Sequence, residues 1–560
     1  MSSMNAAASA RKANEAPKVP RRIASVIINS LKGGVVPRVG LPYITVGREA
    51  EIAALLHDLE LVGEGGASFR FLVGRYGSGK SFLLQTIRNH AMGKNFVVAD
   101  ADLSPERRLQ GTKGQGLATY RELISNLSTK TRPEGGALTL ILDRWISNVQ
   151  MEVAGEGGFD LANPADPAFA AEVEKRIYVV IRQLQDMVHG YDFARLLAMY
   201  FRAYIDGDDE TKANVVRWFR GEYRTRAEAK ADLGVNIVIG DDDWYDYIKL
   251  FANFLKGAGY AGLVVLVDEL VNLYKIPNAV SRQYNYEKIL TMYNDTLQGR
   301  ASYLGIIISG TPQCVEDRRR GLYSYEALRS RLAQGRFAGE GHVDMLAPVI
   351  QLQPLTPEEM LVLIEKLADI HAGFFGYERA LKENDLVAFL QVELSRVGAD
   401  SHITPREIIR DFVELLDILY QNPVLTLEEL VNDPAFVTRP ATLPCDEEPA
   451  AAPFGGQASG GPEVLRASDS AASVSGTTPA TAPSVAPVAT GDISAPAAQS
   501  ASTVASLYDE ILQPAAPSDG AARPAFTGAA ANDKPAASES GTRYTPAVPT
   551  TTRTFAEFTI

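Results

Sequence analysis

Cysteine is nearly missing from this chain: Cys314 and Cys445 are the only two among 560 residues. Two thiols so far apart in context make neither a disulfide framework nor a zinc site, and they suit a reducing compartment. Long apolar runs are missing too. None approaches the roughly 18 residues of a membrane span, and the Ala-, Ser-, Asn- and Lys-rich start holds no apolar core of a secretory signal. Glu15 and weak amphipathicity argue against an organellar transit peptide. The expectation is a soluble, cytoplasmic protein with no membrane association. Positive charge is in deficit as well, the formal net charge being −13. Bulk electrostatics therefore do not announce a nucleic-acid binder, and only local basic patches keep that reading open.

From Ala441 onward large apolar residues become scarce, and Ala, Pro, Ser, Thr and Gly dominate. The stretch Ser470 to Gly491 carries no charge at all. Such a segment cannot bury enough surface to offset its chain entropy and reads as disordered. Its 12 acids against 5 bases account for about half of the net negative charge. Two islands, Ser506 to Leu512 and Phe555 to Ile560, read either as docking motifs or as stray apolar residues.

What is present is most informative at Gly74-Arg75-Tyr76-Gly77-Ser78-Gly79-Lys80-Ser81, set between apolar Phe71-Leu72-Val73 and Phe82-Leu83-Leu84. Strand, glycine-rich loop and helix follow one another there as a triphosphate-binding loop requires. Glycines let the backbone wrap a phosphate with its amide hydrogens turned inward. Lys80 offers a mobile charge to the outer phosphates, Ser81 a hydroxyl to magnesium, and the following helix the positive end of its dipole. The residues predict binding of ATP or GTP.

A second run, Leu263 to Val267, has the unbroken apolar character of a strand covered on both faces, and it ends in Asp268-Glu269. At the carboxyl end of a parallel strand, Asp268 would reach the magnesium shell and Glu269 an attacking water. The alternative is a pair of helix-capping acids. A third run, Leu304 to Ile308, ends in Ser309-Gly310-Thr311-Pro312. Thr311, or with less weight Ser309, would sense the terminal phosphate, unless their hydroxyls only satisfy backbone.

Other segments fill in the plan. Arg21 to Leu41 reads as a short helix and turn, Phe96 to Ala99 as a second strand followed by Asp100 and Asp102, and Val349 to Leu352 as a fifth strand. About 165 residues separate the second strand from Asp268, several times what one crossover needs, so a helical insertion is expected there. Within it, Arg217-Trp218-Phe219-Arg220 through Tyr223-Arg224-Thr225-Arg226 reads as a nucleic-acid contact or, more often, as a helix with packed aromatics and solvated arginines. Asp241-Asp242-Asp243 lacks the pattern of a calcium loop and reads as a helix start. Thr356-Pro357-Glu358-Glu359 and Thr404-Pro405-Arg406-Glu407 are capping boxes. The second places Arg406 in a first turn, where a cation opposes the helix dipole and calls for an anionic ligand or a surface ion pair.

Together these marks resemble an AAA+ ATPase, over roughly Arg21 to Val431, with Gly47-Arg48-Glu49 ahead of the loop. Val46-Gly47-Arg48-Glu49, the glycine-rich run, Asp102-Leu103-Ser104-Pro105-Glu106-Arg107 and Thr404-Pro405-Arg406-Glu407 resemble the BREX-type ATP-binding protein family of bacterial anti-phage defence clusters. That family includes the ATPase of the Shango system, which accompanies a helicase and a TerB-like protein. The resemblance implies that Gly47, Arg48, Gly74, Tyr76, Gly77, Ser78, Gly79, Lys80, Ser81 and Phe82 line the ATP site, and that Ser81 and Asp268 hold Mg2+. It further implies Glu269 as catalytic acid-base, Thr311 as first sensor, Arg406 as second sensor, and Arg331, with Arg329 as understudy, as a finger reaching a neighbouring subunit's ATP.

The expected fold is α/β, a P-loop AAA+ core with a five-stranded parallel sheet, a large helical insertion, a helical lid and a disordered tail. The expected divisions are a disordered 1–20, a nucleotide-binding domain 21–355 with the insertion at about 110–255, a lid 356–438 and a tail 439–560. The expected activity is ATP hydrolysis in a homo-oligomer that acts on DNA or a partner effector. The alternative is a nucleotide-dependent switch with little turnover that recruits a helicase.

Overall fold

The computed structural model describes residues 19–161, 166–335, 344–395 and 404–431. Expectations for 1–18 and for everything from 432, including Cys445 and both apolar islands, lie outside the described residues.

Three helices, α1 (Arg21–Lys32), α2 (Leu41–Ile44) and α3 (Glu49–Gly63), precede β1 (Ala67–Val73), which α4 (Lys80–Gly93) and β2 (Val97–Asp102) follow. The insertion then runs through α5 (Gln115–Ser125), α6 (Leu138–Gly157), α7 (Pro167–Gln185), α8 (Gly190–Asp206), α9 (Asp209–Phe219), α10 (Arg226–Leu233) and α11 (Trp244–Gly257). The chain returns to the sheet at β3 (Leu263–Asp268), passes α12 (Val271–Tyr274) and α13 (Ala279–Leu297), and enters β4 (Leu304–Gly310). Short helices α14 (Pro312–Glu316) and α15 (Glu326–Leu332) lead to β5 (Val349–Gln351). Helices α16 (Pro357–Phe375), α17 (Glu383–Ser395), α18 (Pro405–Gln421) and α19 (Leu427–Val431) complete the described chain.

The chain is thus a mostly helical α/β protein with a five-stranded, all-parallel sheet in the order β2-β3-β4-β1-β5. Side-chain alternation along each strand divides the apolar residues between its two faces. Phe69, Phe71 and Val73 of β1, with Val265 and Val267 of β3 and Ile306 and Ile308 of β4, join the core that runs into the insertion. Leu72, Leu266, Ile307 and Ile350 point the other way, onto α3 and α4. Burial on both faces is why these strands read as unbroken apolar runs. A bidentate pair on that second face, Arg70 with Asp58 at 2.6 and 2.7 Å, ties β1 to α3.

The insertion has no core of its own to separate it from the sheet. Trp145, Phe193, Phe219, Phe251 and Phe254 interlock edge to face, and they belong to the same buried cluster as the strands. Ordinary burial likewise accounts for the Arg217 to Arg226 segment. Trp218, Phe219 and Tyr223 are 1, 0 and 2 % exposed, so the segment offers no aromatic face for a base to stack on. Arg217 is neutralised by Glu228 and Asp232 and lies over the Tyr223 ring. Asp241 accepts the backbone N–H groups of Gly114 and Leu117 at 2.8 and 2.9 Å. It therefore caps α5, while Asp243 lies at the start of α11.

A further apolar cluster joins the two ends of the described chain. Ile23, Ile27, Leu41 and Ile44 pack with Leu363, Ile364, Phe389, Phe412 and Leu416. The residues before Glu49 thus bury their apolar stripe on the helices after β5. His371 sits within this layer, fully buried. Its Nε2 lies 3.1 Å from Asp417 Oδ1 and its Nδ1 2.8 Å from the Tyr377 hydroxyl, while Lys32 of α1 donates to Asp417 at 2.6 Å.

Candidate functional site

In a parallel sheet every strand carboxyl end lies along one edge, and there the chain assembles residues that are far apart in sequence. The glycine-rich loop leaves β1 after Val73, and its far end is the first turn of α4. Gly77 and Gly79 sit at φ of 75° and 96°, a region L side chains rarely adopt. At Gly77 a Cβ would also come within 2.5 Å of Thr404 Oγ1, the N-cap of α18. A glycine there is what lets loop and helix approach so closely. Arg48, buried, supports the loop from outside, donating to the Ser78 carbonyl at 3.2 Å and to Glu51 at 3.1 Å. Gly47, at φ 65°, leaves room for the Glu359 carboxylate, 2.4 Å from where a Cβ would stand. Glu359 in turn closes the expected capping box with Thr356. Phe82, one turn into α4, packs on the helical cluster of α16 and α18.

Lys80 donates to the carbonyls of Gly74 and Arg75 at 3.0 and 2.9 Å. Burial holds its pKa below the usual lysine value, against the raising effect of the Asp268 and Glu269 carboxylates; Arg406 adds to the lowering. Ser81 Oγ donates to Asp268 Oδ2 at 2.7 Å across a sequence separation of 187 residues. The other Asp268 oxygen accepts from the Ser309 hydroxyl and, at 2.8 Å, from the Glu269 N–H. The strand order explains this convergence. Because β4 lies between β1 and β3, the buried Ser309 at its end stands between loop and acid.

Glu269 has φ 62°, a left-handed conformation uncommon for a residue with a side chain, immediately after the strand ends. Asp102 stands opposite Asp268 in the β2-β3 register. Burial, then the carboxylates of Asp268 and Asp100, pushes its pKa up. Both Asp100 and Asp102 lie within β2, which runs further than the expected strand end at Ala99.

Thr311 is placed differently from Ser309. Its hydroxyl lies 3.0 Å from Cys314 Sγ, one turn along α14, and the thiol's pKa is raised by burial. Cys314 carries no recognisable motif, and only its spacing of three from an N-cap threonine hints at the contact. Arg406 donates to the Tyr76 hydroxyl at 2.7 Å, and its guanidinium lies 5.0 Å from the centre of that ring. Arg331 is exposed and donates to Ala327 O of its own helix, and Arg329 pairs with Glu326. Among the described residues neither bonds to the loop or to the acids.

Fold and site define an α/β protein in which a glycine-rich loop, a lysine and a strand-end carboxylate meet at one edge of an all-parallel sheet. The family model of the BREX system ATP-binding protein BrxC/D matches residues 19–434, most of the chain. The chain belongs to that family, and ATP is the ligand its description supports. Among curated proteins none matches. No described helix is long and apolar enough to cross a membrane.

Proposed function

We propose that the protein is a magnesium-dependent AAA+ ATPase that hydrolyses ATP between subunits and passes the result to DNA or to a partner effector in anti-phage defence. The observation that carries this reading is the Ser81–Asp268 contact at 2.7 Å, which sets a hydroxyl and a carboxylate oxygen together beside Lys80. This donor set fits magnesium, which is commonly held by one or two carboxylates together with phosphate oxygens. Among the described residues no larger cluster of acidic, imidazole or thiol ligands competes for the role. When bound, magnesium supplies charge neutralisation at the phosphates.

In this reading the loop amides and Lys80 bind the phosphates, and Ser309 keeps the Asp268 carboxylate turned toward Ser81. Glu269 orients the attacking water and accepts its proton. Arg406 approaches the outer phosphates from α18, and Arg331 acts on the ATP of a neighbouring copy. Thr311 senses the terminal phosphate only once its hydroxyl leaves Cys314. DNA as the target draws no support from the Arg217 to Arg226 segment, whose aromatics are core.

The competing reading, a switch with little turnover that recruits a helicase, is favoured by one observation: the loop already touches α18 through Gly77 and Tyr76. Light scattering separates the two, since a monomer with and without ATP leaves Arg331 with no site to complete. For hydrolysis the decisive variant is Glu269→Gln. It is expected to bind ATP normally while turnover falls by about 10²- to 10⁴-fold, and unchanged turnover would overturn the role given to Glu269.

A further inference from the structure

We infer that Tyr76 is a positioning residue that holds the Arg406 guanidinium at the glycine-rich loop and so makes the site favour ATP over ADP. The inference rests on the nucleotide site proposed above and adds to it a residue whose side chain that reading leaves without a task. Tyr76 lies in the glycine-rich loop and is half exposed. Its hydroxyl accepts from Arg406 Nη1 at 2.7 Å, and its ring lies 5.0 Å from the guanidinium carbon. The hydroxyl bond and the ring contact together fix the guanidinium's position, leaving its other N–H groups to donate elsewhere.

The placement is electrostatically unfavourable by itself. Arg406 stands in the first turn of α18, where a cation opposes the helix dipole. Lys80, which donates to the Gly74 and Arg75 carbonyls of the same loop, is a second cation there. Two cations held near one loop repel each other until an anion comes between them, and Tyr76 supplies the contact that keeps Arg406 there. The close fit of Gly77 on Thr404 brings the first turn of α18 within reach of the loop. A guanidinium already ordered binds phosphate without the entropy loss of being fixed at that moment. Lys80 and Arg406 together favour the nucleotide with more outer-phosphate charge, so the benefit falls mainly on the third phosphate.

The test is the affinity of the full-length protein for ATP and for ADP, each with magnesium, by calorimetry or displacement of a fluorescent nucleotide. Tyr76→Ala is expected to weaken ATP binding about tenfold and ADP binding by no more than about twofold. Tyr76→Phe, which keeps the ring, is expected to fall between wild type and Tyr76→Ala for ATP. In an Arg406→Ala background Tyr76→Ala is expected to add nothing further. Equal losses for ATP and ADP, or the same loss without Arg406, would make Tyr76 a mere loop-shaping residue and overturn the inference. A wild-type protein that binds neither nucleotide would instead sink the proposed site itself.

Discussion

The carboxyl edge of the sheet and the segment from Arg217 to Arg226 both bring charge together with residues suited to ligand binding, and the fold treats them in opposite ways. In the insertion the aromatics turn inward, and Arg217 is neutralised by acids from the next helix. At the sheet edge, Lys80, Asp268 and Arg406 are gathered from three separate stretches of chain, and Arg406 is bonded to the loop from a first helical turn, where a cation opposes the helix dipole. Satisfied charge marks packing, whereas charge collected at some electrostatic expense marks a place for a ligand.

The comparison can be broken most sharply at Trp218. If its ring is core, as its burial and its bond to Ile237 O at 2.9 Å require, Trp218→Ala should lower stability by about 3–5 kcal/mol, read by denaturant unfolding. Ser309→Ala tests the other region. It takes one donor from Asp268 and should lower magnesium-dependent ATP affinity by about 1–3 kcal/mol, leaving thermal stability nearly unchanged.

The junction of α1 with the helices after β5 should respond to acid. Burial holds the His371 pKa below the usual histidine value, with Asp417 opposing that shift. The unfolded chain therefore takes up its proton first as pH drops below about 6.5, and stability declines from there down to the lower native pKa. Asp417 is held below the usual carboxylate value, since its bonds to Lys32 and His371 outweigh burial. Its contribution is lost only at more acidic pH, below about 3.9. Unfolding followed between pH 7.5 and 5 should show the histidine-linked decline, and His371→Asn should flatten it. The smallest effect is expected at Arg217. Its pairs are half-exposed at the surface, so Arg217→Ala should leave stability nearly unchanged and the salt dependence of any DNA binding unchanged.

The elements legible in the sequence are those whose signal is local. The runs Leu263 to Val267 and Leu304 to Ile308 lie within β3 and β4 because strands buried on both faces need continuous apolar residues. The Thr356 capping box forms because its bonds span only three residues. The sequence favours Thr311 over Ser309 because a hydroxyl's partner depends on which strands are neighbours. Once β4 is set between β1 and β3, Ser309 meets Asp268 and Thr311 turns to Cys314.

By itself the sequence determined that a glycine-rich loop joins a strand to a helix, that two acids follow a buried strand, and that the middle of the chain is helical. Those properties arise from backbone freedom, side-chain periodicity and capping over a few residues. Only the tertiary structure decided that Ser81 lies 2.7 Å from Asp268, that Tyr76 holds Arg406, and that the tryptophan beside Arg217 is core. Each of these depends on contacts between segments whose separation along the chain carries no information about their distance in space until the sheet order is set.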